Sequence, residues 1–282
     1  MAMADRLLLT AKGGATTECG SDRLRRLLIL LGDADGDLRF MLPPFEQNPG
    51  AGAAVQDISG RGLHGTNVTA YDLTSGHMIR GRMLSAILNM DDEYWNIPDN
   101  PLLSFGTALV DEPFSVGIAF KFDTGAAVEV LIAKDDNVAV TAREYALYLD
   151  AANKINMVLY DDSVPASEGM LYNTALVVDT WYVAIATYNG VGGGDAEAGV
   201  HIYLWEGVGE TYLGDVADTE VTAGVYLAME DLAEPVLIGA RNAAAHADEW
   251  GGEISMPFIT ARELSAADAE KAIEIMVSLL EL

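Results

Sequence analysis

The stretch Phe114-Ser115-Val116-Gly117-Ile118-Ala119-Phe120-Lys121-Phe122 carries a large apolar side chain at every second position. Successive side chains of an extended strand point to opposite faces, so Phe114, Val116, Ile118, Phe120 and Phe122 share one face. Ser115, Gly117, Ala119 and Lys121 share the other, which reads as a half-buried strand with a small, polar outer surface. Outward from this stretch, the same alternation between turn residues predicts strands over 128–133, 144–150, 154–160, 181–188, 200–206, 235–239 and 252–259. So many strands, with so little helix between them, exclude a parallel α/β sheet and point to an all-β sandwich.

Two stretches break the pattern. Residues 1–36 read as an N-terminal arm, in which Ser21-Asp22 caps a run whose Leu24, Leu27, Leu28 and Leu31 fall on one helical face. That apolar face must dock, either on its own sandwich or on a neighbouring subunit. The other break is a closing helix over about 266–281: Ser265 and Asp268 resemble a capping box, and Ile273, Met276, Leu279 and Leu280 form its apolar face. Between these, 37–282 is read as one domain. Asp33-Ala34-Asp35-Gly36-Asp37 has the Asp-Gly of a hairpin turn, without the glycine and glutamate spacing of an EF-hand loop. Tyr188-Asn189-Gly190-Val191-Gly192-Gly193-Gly194-Asp195 holds four glycines, and is expected to be a flexible loop projecting from one end.

Composition narrows the partners. Forty-three acidic against 16 basic residues give a formal charge of -27, which opposes nucleic acid and anionic lipid and favours solubility, cation binding or a saline habitat. No apolar run reaches the roughly 18 to 20 residues of a membrane span, so no membrane insertion is expected. Leu7-Leu8-Leu9 is too short an apolar stretch for a secretory signal. The chain is therefore expected in the cytoplasm or exported without a Sec-type signal. Cys19 is the single cysteine, so no intrachain disulfide forms, and His64, His77, His201 and His246 are too dispersed for a Cys/His zinc cluster.

The order of local patterns over about 37–270 resembles the laminin G-like, concanavalin A-like family. Asp57-Ile58-Ser59-Gly60-Arg61-Gly62-Leu63-His64-Gly65-Thr66 is similar to the family's turn after its first strand, here Leu38 to Leu42. Tyr94-Trp95-Asn96-Ile97-Pro98-Asp99 resembles the strand that precedes the core strand at Pro113-Phe114-Ser115-Val116. Trp181-Tyr182-Val183-Ala184 is similar to the family's "Trp-x-x-Val-Ala" strand, one residue shorter, with Val200 to Leu204 as its partner. Val236-Leu237-Ile238-Gly239, Gly252-Glu253-Ile254 and Arg262-Glu263-Leu264-Ser265 match the family's later strands and the approach to its last helix. The resemblance implies a two-sheet antiparallel jelly-roll sandwich, with sugars or proteins bound in a concave face or on rim loops. It also implies a structural calcium ion in many members.

Glucanases of this fold carry Glu-x-Asp-x-x-Glu on one strand, and no such segment occurs. Asp91-Asp92-Glu93, Glu230-Asp231-Leu232-Ala233-Glu234 and Asp248-Glu249-Trp250-Gly251-Gly252-Glu253 are expected to be solvated loop charges. There is neither a Gly-x-Ser-x-Gly elbow nor a phosphate loop, so the chain is not expected to be an enzyme. Asp57, with the carbonyls of Gly60 and Gly62, could hold calcium or simply cap its own turn. Trp95, Trp205 and Trp250 are the candidate sugar platforms, the last two beside glycine-containing turns, while Trp181 is expected in the core. The first functional expectation is an oligomeric structural or binding module on a larger assembly, such as a virion decoration or fibre protein, docked through the arm. A free carbohydrate-binding lectin is the alternative, and a glycan hydrolase the third.

Overall fold

The computed structural model describes residues 20–43, 51–69, 72–73, 86–90, 92–123, 127–135, 142–241, 248–280 and 282. Two antiparallel sheets pack face to face, with strands numbered β1 to β17 along the chain. The first sheet runs β14 (Thr211–Asp215), β13 (Val200–Glu206), β12 (Tyr182–Tyr188), β7 (Phe114–Phe122), β17 (Gly251–Thr260), β5 (Ala86–Asn89), β4 (Asp72–Leu73). β1 (Leu38–Met41) also pairs with β17. The second sheet runs β15 (Thr219–Glu220), β11 (Ala166–Leu171), β10 (Ile155–Asp161), β9 (Arg143–Leu149), β8 (Glu129–Asp135), β16 (Val236–Ile238), β6 (Trp95–Ile97), β3 (Gly65–Asn67), β2 (Ala54–Val55). All the long strands read from the alternation are present, each within two residues of its expected ends.

The alternating residues of β7 lie in the core between the sheets, facing Tyr145, Leu147 and Leu149 of β9. The other face of β7 is not a solvated surface, however. Ser115, Gly117 and Ala119 are buried as well, because two helices cover this sheet from outside. α1 (Gly20–Leu30) and α2 (Ala266–Leu280) pack on each other and on Ala119, Val183, Ile185 and Phe258. The small residues of β7 make room for that layer: a Cβ on Gly117 would stand 2.3 Å from the Phe258 ring. The described part of the arm therefore docks on its own sandwich. Leu24, Leu27, Leu28 and Leu31 are all buried in this contact, so the apolar face of α1 is covered by its own sandwich. Residues 1–19 lie outside the described residues.

The glycine-rich loop also differs from expectation. It turns into a 3-10 segment, Gly193–Gly199, that packs beside β11 and places Ala196 in the core. Its neighbours are fastened by Asp111, whose carboxylate accepts hydrogen bonds from the Tyr188 and Tyr226 hydroxyls and from the Met229 N–H, each at 2.7 Å. Glu168 of β11 is buried beside the same segment, with its carboxyl close to that of Glu197. Burial, the Glu197 charge and then Glu220 and Asp195 push the Glu168 carboxyl up to about 7.

The helical layer predicts a large cost for truncating it: Leu27→Ala should destabilise by about 2 to 5 kcal/mol in denaturant unfolding, as for other buried leucines. A change near zero would show that α1 is dispensable to the domain. A second expectation concerns pH. Glu168 binds its proton more tightly folded than unfolded, so its favourable contribution is present below about pH 4.5 and is lost as pH rises to about 7. The melting temperature should fall across that window, and Glu168→Gln should flatten the slope; an unaltered slope would contradict the assignment.

Candidate functional site

The outer face of the second sheet is built differently from that of the first. Alternation puts Tyr145, Leu147 and Leu149 of β9 inside, so Ala146 and Tyr148 face outward, beside Val130, Ala133, Val158 and Tyr160 of the adjoining strands. Over this apolar patch lie two guanidinium groups. Arg143 sits 4.5 Å from the centre of the Tyr160 ring, and Arg241 sits 6.0 Å from that of Tyr148. Each is held from the side by a carboxylate: Asp162 Oδ1 accepts from Arg143 at 2.7 and 3.0 Å, and Asp248 pairs with Arg241.

Asp135, at the end of β8, stands between these groups. Its Oδ2 lies 3.4 Å from Arg241, while its Oδ1 is buried and has no hydrogen-bond partner among the described residues. Burial raises its carboxyl to about 6, against the opposing pull of Arg241 and then Arg143. A buried acceptor left without a donor carries a free-energy cost that a ligand hydroxyl or ammonium can relieve. Neighbouring N–H donors and a carboxylate acceptor are what a sugar hydroxyl requires, since it both donates and accepts. Hydrolysis needs two free carboxyls flanking the scissile bond, whereas Asp162 and Asp248 are both engaged by guanidinium groups.

The tryptophan expectations are corrected. Trp95, Trp205 and Trp250 are only 3%, 5% and 0% exposed, so none stands open on the surface, and the small accessible part of Trp205 borders a cleft beside α2. Trp250 packs edge-on to Phe120 at 5.5 Å between the sheets, Trp95 joins the same core, and Trp205 lies beneath α2. Trp181, expected in the core, is only partly buried, with the Lys121 ammonium 5.9 Å from its ring centre. Several loop acids are likewise structural: Glu93 and Glu253 are buried, and Glu230 accepts the Asp162 and Ser163 N–H groups. Asp231 is exposed as expected, and Asp91 lies outside the described residues.

Asp57 has the geometry of a turn cap. One carboxylate oxygen accepts the Met41 and Ser59 N–H groups at 3.0 and 2.8 Å; the other accepts the Ser59 hydroxyl and the Leu63 N–H at 2.7 and 3.1 Å. A cation would have to displace these donors. Among the described residues, no group of three or more His, Cys, Asp or Glu side chains is arranged to hold a metal, and no helix is long and apolar enough to cross a membrane.

No family model matches the chain, and no curated protein matches it. Solved structures do. The binding domain of Paraclostridial Mosquitocidal Protein 1 aligns with a TM-score of 0.55 at 12% identity, over 85% of this chain and 52% of that one. The ligand binding domain of Botulinum neurotoxin serotype D, in complex with N-acetylneuraminic acid, aligns at 0.54 and 14% over 87% and 52%. Domain 4 of an extracellular arabinanase from Geobacillus stearothermophilus, in complex with arabinotriose, aligns at 0.52 and 12% over 84% and 98%. The chain thus spans about half the length of the two toxin binding domains. At these identities the likeness shows the fold alone: a two-sheet antiparallel β-sandwich.

Proposed function

We propose that this chain is a non-enzymatic carbohydrate-binding module and that the outer face of its second sheet is the glycan site. The observation that carries this reading is the Oδ1 of Asp135, which has no hydrogen-bond partner among the described residues and is set between two guanidinium groups that lie over tyrosine rings. Tyr148 and Arg241 are only partly buried and offer the approach from solvent. Solved structures of the same fold with bound N-acetylneuraminic acid and arabinotriose support an oligosaccharide as the ligand class. In this reading the Asp57 turn supplies no calcium ion to the site, because its carboxylate already accepts protein donors on both oxygens.

A second reading, display on a larger assembly such as a virion surface, draws support from one end of the sandwich. Leu109 and Val225 are 85% and 77% exposed there, and Val191 and Leu227 are also exposed. The Asp111 network holds the segments that carry them. The tip, rather than the buried face of α1, is then the docking element, and a partner would present an apolar surface to it.

On a glycan panel, the purified chain should show saturable binding that is unchanged by chelator. Asp135→Asn should weaken it at least about tenfold, the loss expected for a hydrogen bond to a charged group. Silence across the panel, or full affinity in Asp135→Asn, would overturn the glycan reading. The display reading expects the exposed pair Leu109→Ser and Val225→Ser to keep the melting temperature and to abolish co-sedimentation with intact particles. Equal co-sedimentation of variant and unaltered chain, or none of either, would count against it.

A further inference from the structure

A second concavity lies on the opposite side of the molecule, where α2 crosses the edge of the first sheet. It is a cleft of about 330 Å³, within the lower range of small-molecule sites. One wall is the paired aromatic residues Trp205 and Tyr212 of β13 and β14; the other is the α2 face carrying Ile273 and Val277. Spacing makes that face: residues 270, 273, 274 and 277 follow the three- and four-residue steps of a helix. The rim is acidic, with Glu210 from the β13–β14 turn and Glu270 and Glu274 from α2. Glu274 is paired with Lys271, whereas the carboxylates of Glu210 and Glu270 have no ion-pair or hydrogen-bond partner among the described residues. Of the nearby cations, Lys271 is held by Glu274 and Arg23 donates to the Ser278 carbonyl at 3.0 Å, and neither lines the cleft.

Apolar walls with two aromatic rings and an anionic rim define a ligand by their chemistry. The walls take a hydrocarbon body, the rings attract a cation through their quadrupoles, and the carboxylates exclude an anion. We propose that this cleft binds a small organic ammonium, with the hydrocarbon against Trp205 and Ile273 and the cationic nitrogen at Tyr212, Glu210 and Glu270. The site is separate from the glycan face, since it belongs to the other sheet and to α2. Its occupation does not depend on whether sugar binds.

Three probes of similar size and different charge test it: phenethylammonium, 2-phenylethanol and 3-phenylpropionate, titrated at one ionic strength while tryptophan fluorescence is followed. Phenethylammonium should bind saturably and about fivefold more tightly than the alcohol, the margin of a single cation–aromatic contact. The propionate should not saturate. Replacing both rim acids, Glu210→Gln with Glu270→Gln, should remove the advantage of the ammonium while leaving the weaker affinity of the alcohol. Trp205→Phe should abolish the optical signal, with binding then read by calorimetry. Equal affinity for alcohol and ammonium, no saturable binding, or a fluorescence change that survives Trp205→Phe would each overturn the proposal.

Discussion

The architecture depends on β17 being buried along both faces. Its inward residues Ile254 and Ile259 enter the core between the sheets, while Met256 and Phe258 pack outward beneath the helices. One edge pairs with β7; the other pairs first with β5 and then with β1. A register shift between Ser255 and Phe258 separates the two halves. Phe258 then lies over Gly117, a position where no side chain would fit. A strand so enclosed cannot slip by one residue without exchanging its two apolar sets, and the register of the whole first sheet follows from it.

Closing one outer face with helices decides where ligands can approach. The outer surface of the first sheet is covered by α1 and α2, with a cleft at the β13–β14 edge. The second sheet keeps charged groups over its outer face, and these are held by partners rather than by solvent. Away from that face, Lys134, which stands opposite Tyr145, is fully buried and bonds to Glu144 at 2.6 Å and to Asp99 at 3.0 Å. Burial raises Glu144 to about 7 in spite of that ammonium, so the pair is sensitive to its surroundings. The strong negative charge of the chain is thus partly an internal feature, built from buried carboxyls in hydrogen-bonded networks.

Period-2 alternation made the long strands legible, because each strand has one face committed to the core, while the two-sheet arrangement was implied by the resemblance of their order to the laminin G-like, concanavalin A-like family. β14 escaped that reading since Thr211, Leu213 and Asp215 are exposed and its pattern is reversed at an edge. The same signal separated Tyr148 from the face of Tyr145 without naming which face points outward or indicating that Arg241 would lie over it, a contact between residues far apart in the chain. The tryptophans misled for a simple reason: glycine-containing turns beside Trp205 and Trp250 mark chain reversals, not exposure, and both rings turn inward from them. The leucine spacing at 24–31 identified a buried helical face, while its partner was set by the other end of the chain.

The claim on which the functional account rests is the location of the glycan site, and amide spectra of the labelled chain during oligosaccharide titration address it directly. The account predicts shifts concentrated at Asp135, Arg143, Tyr148, Tyr160 and Arg241, with α2 and β14 unmoved. Shifts centred on α2 and β14, or spread without saturation over the surface, would contradict it.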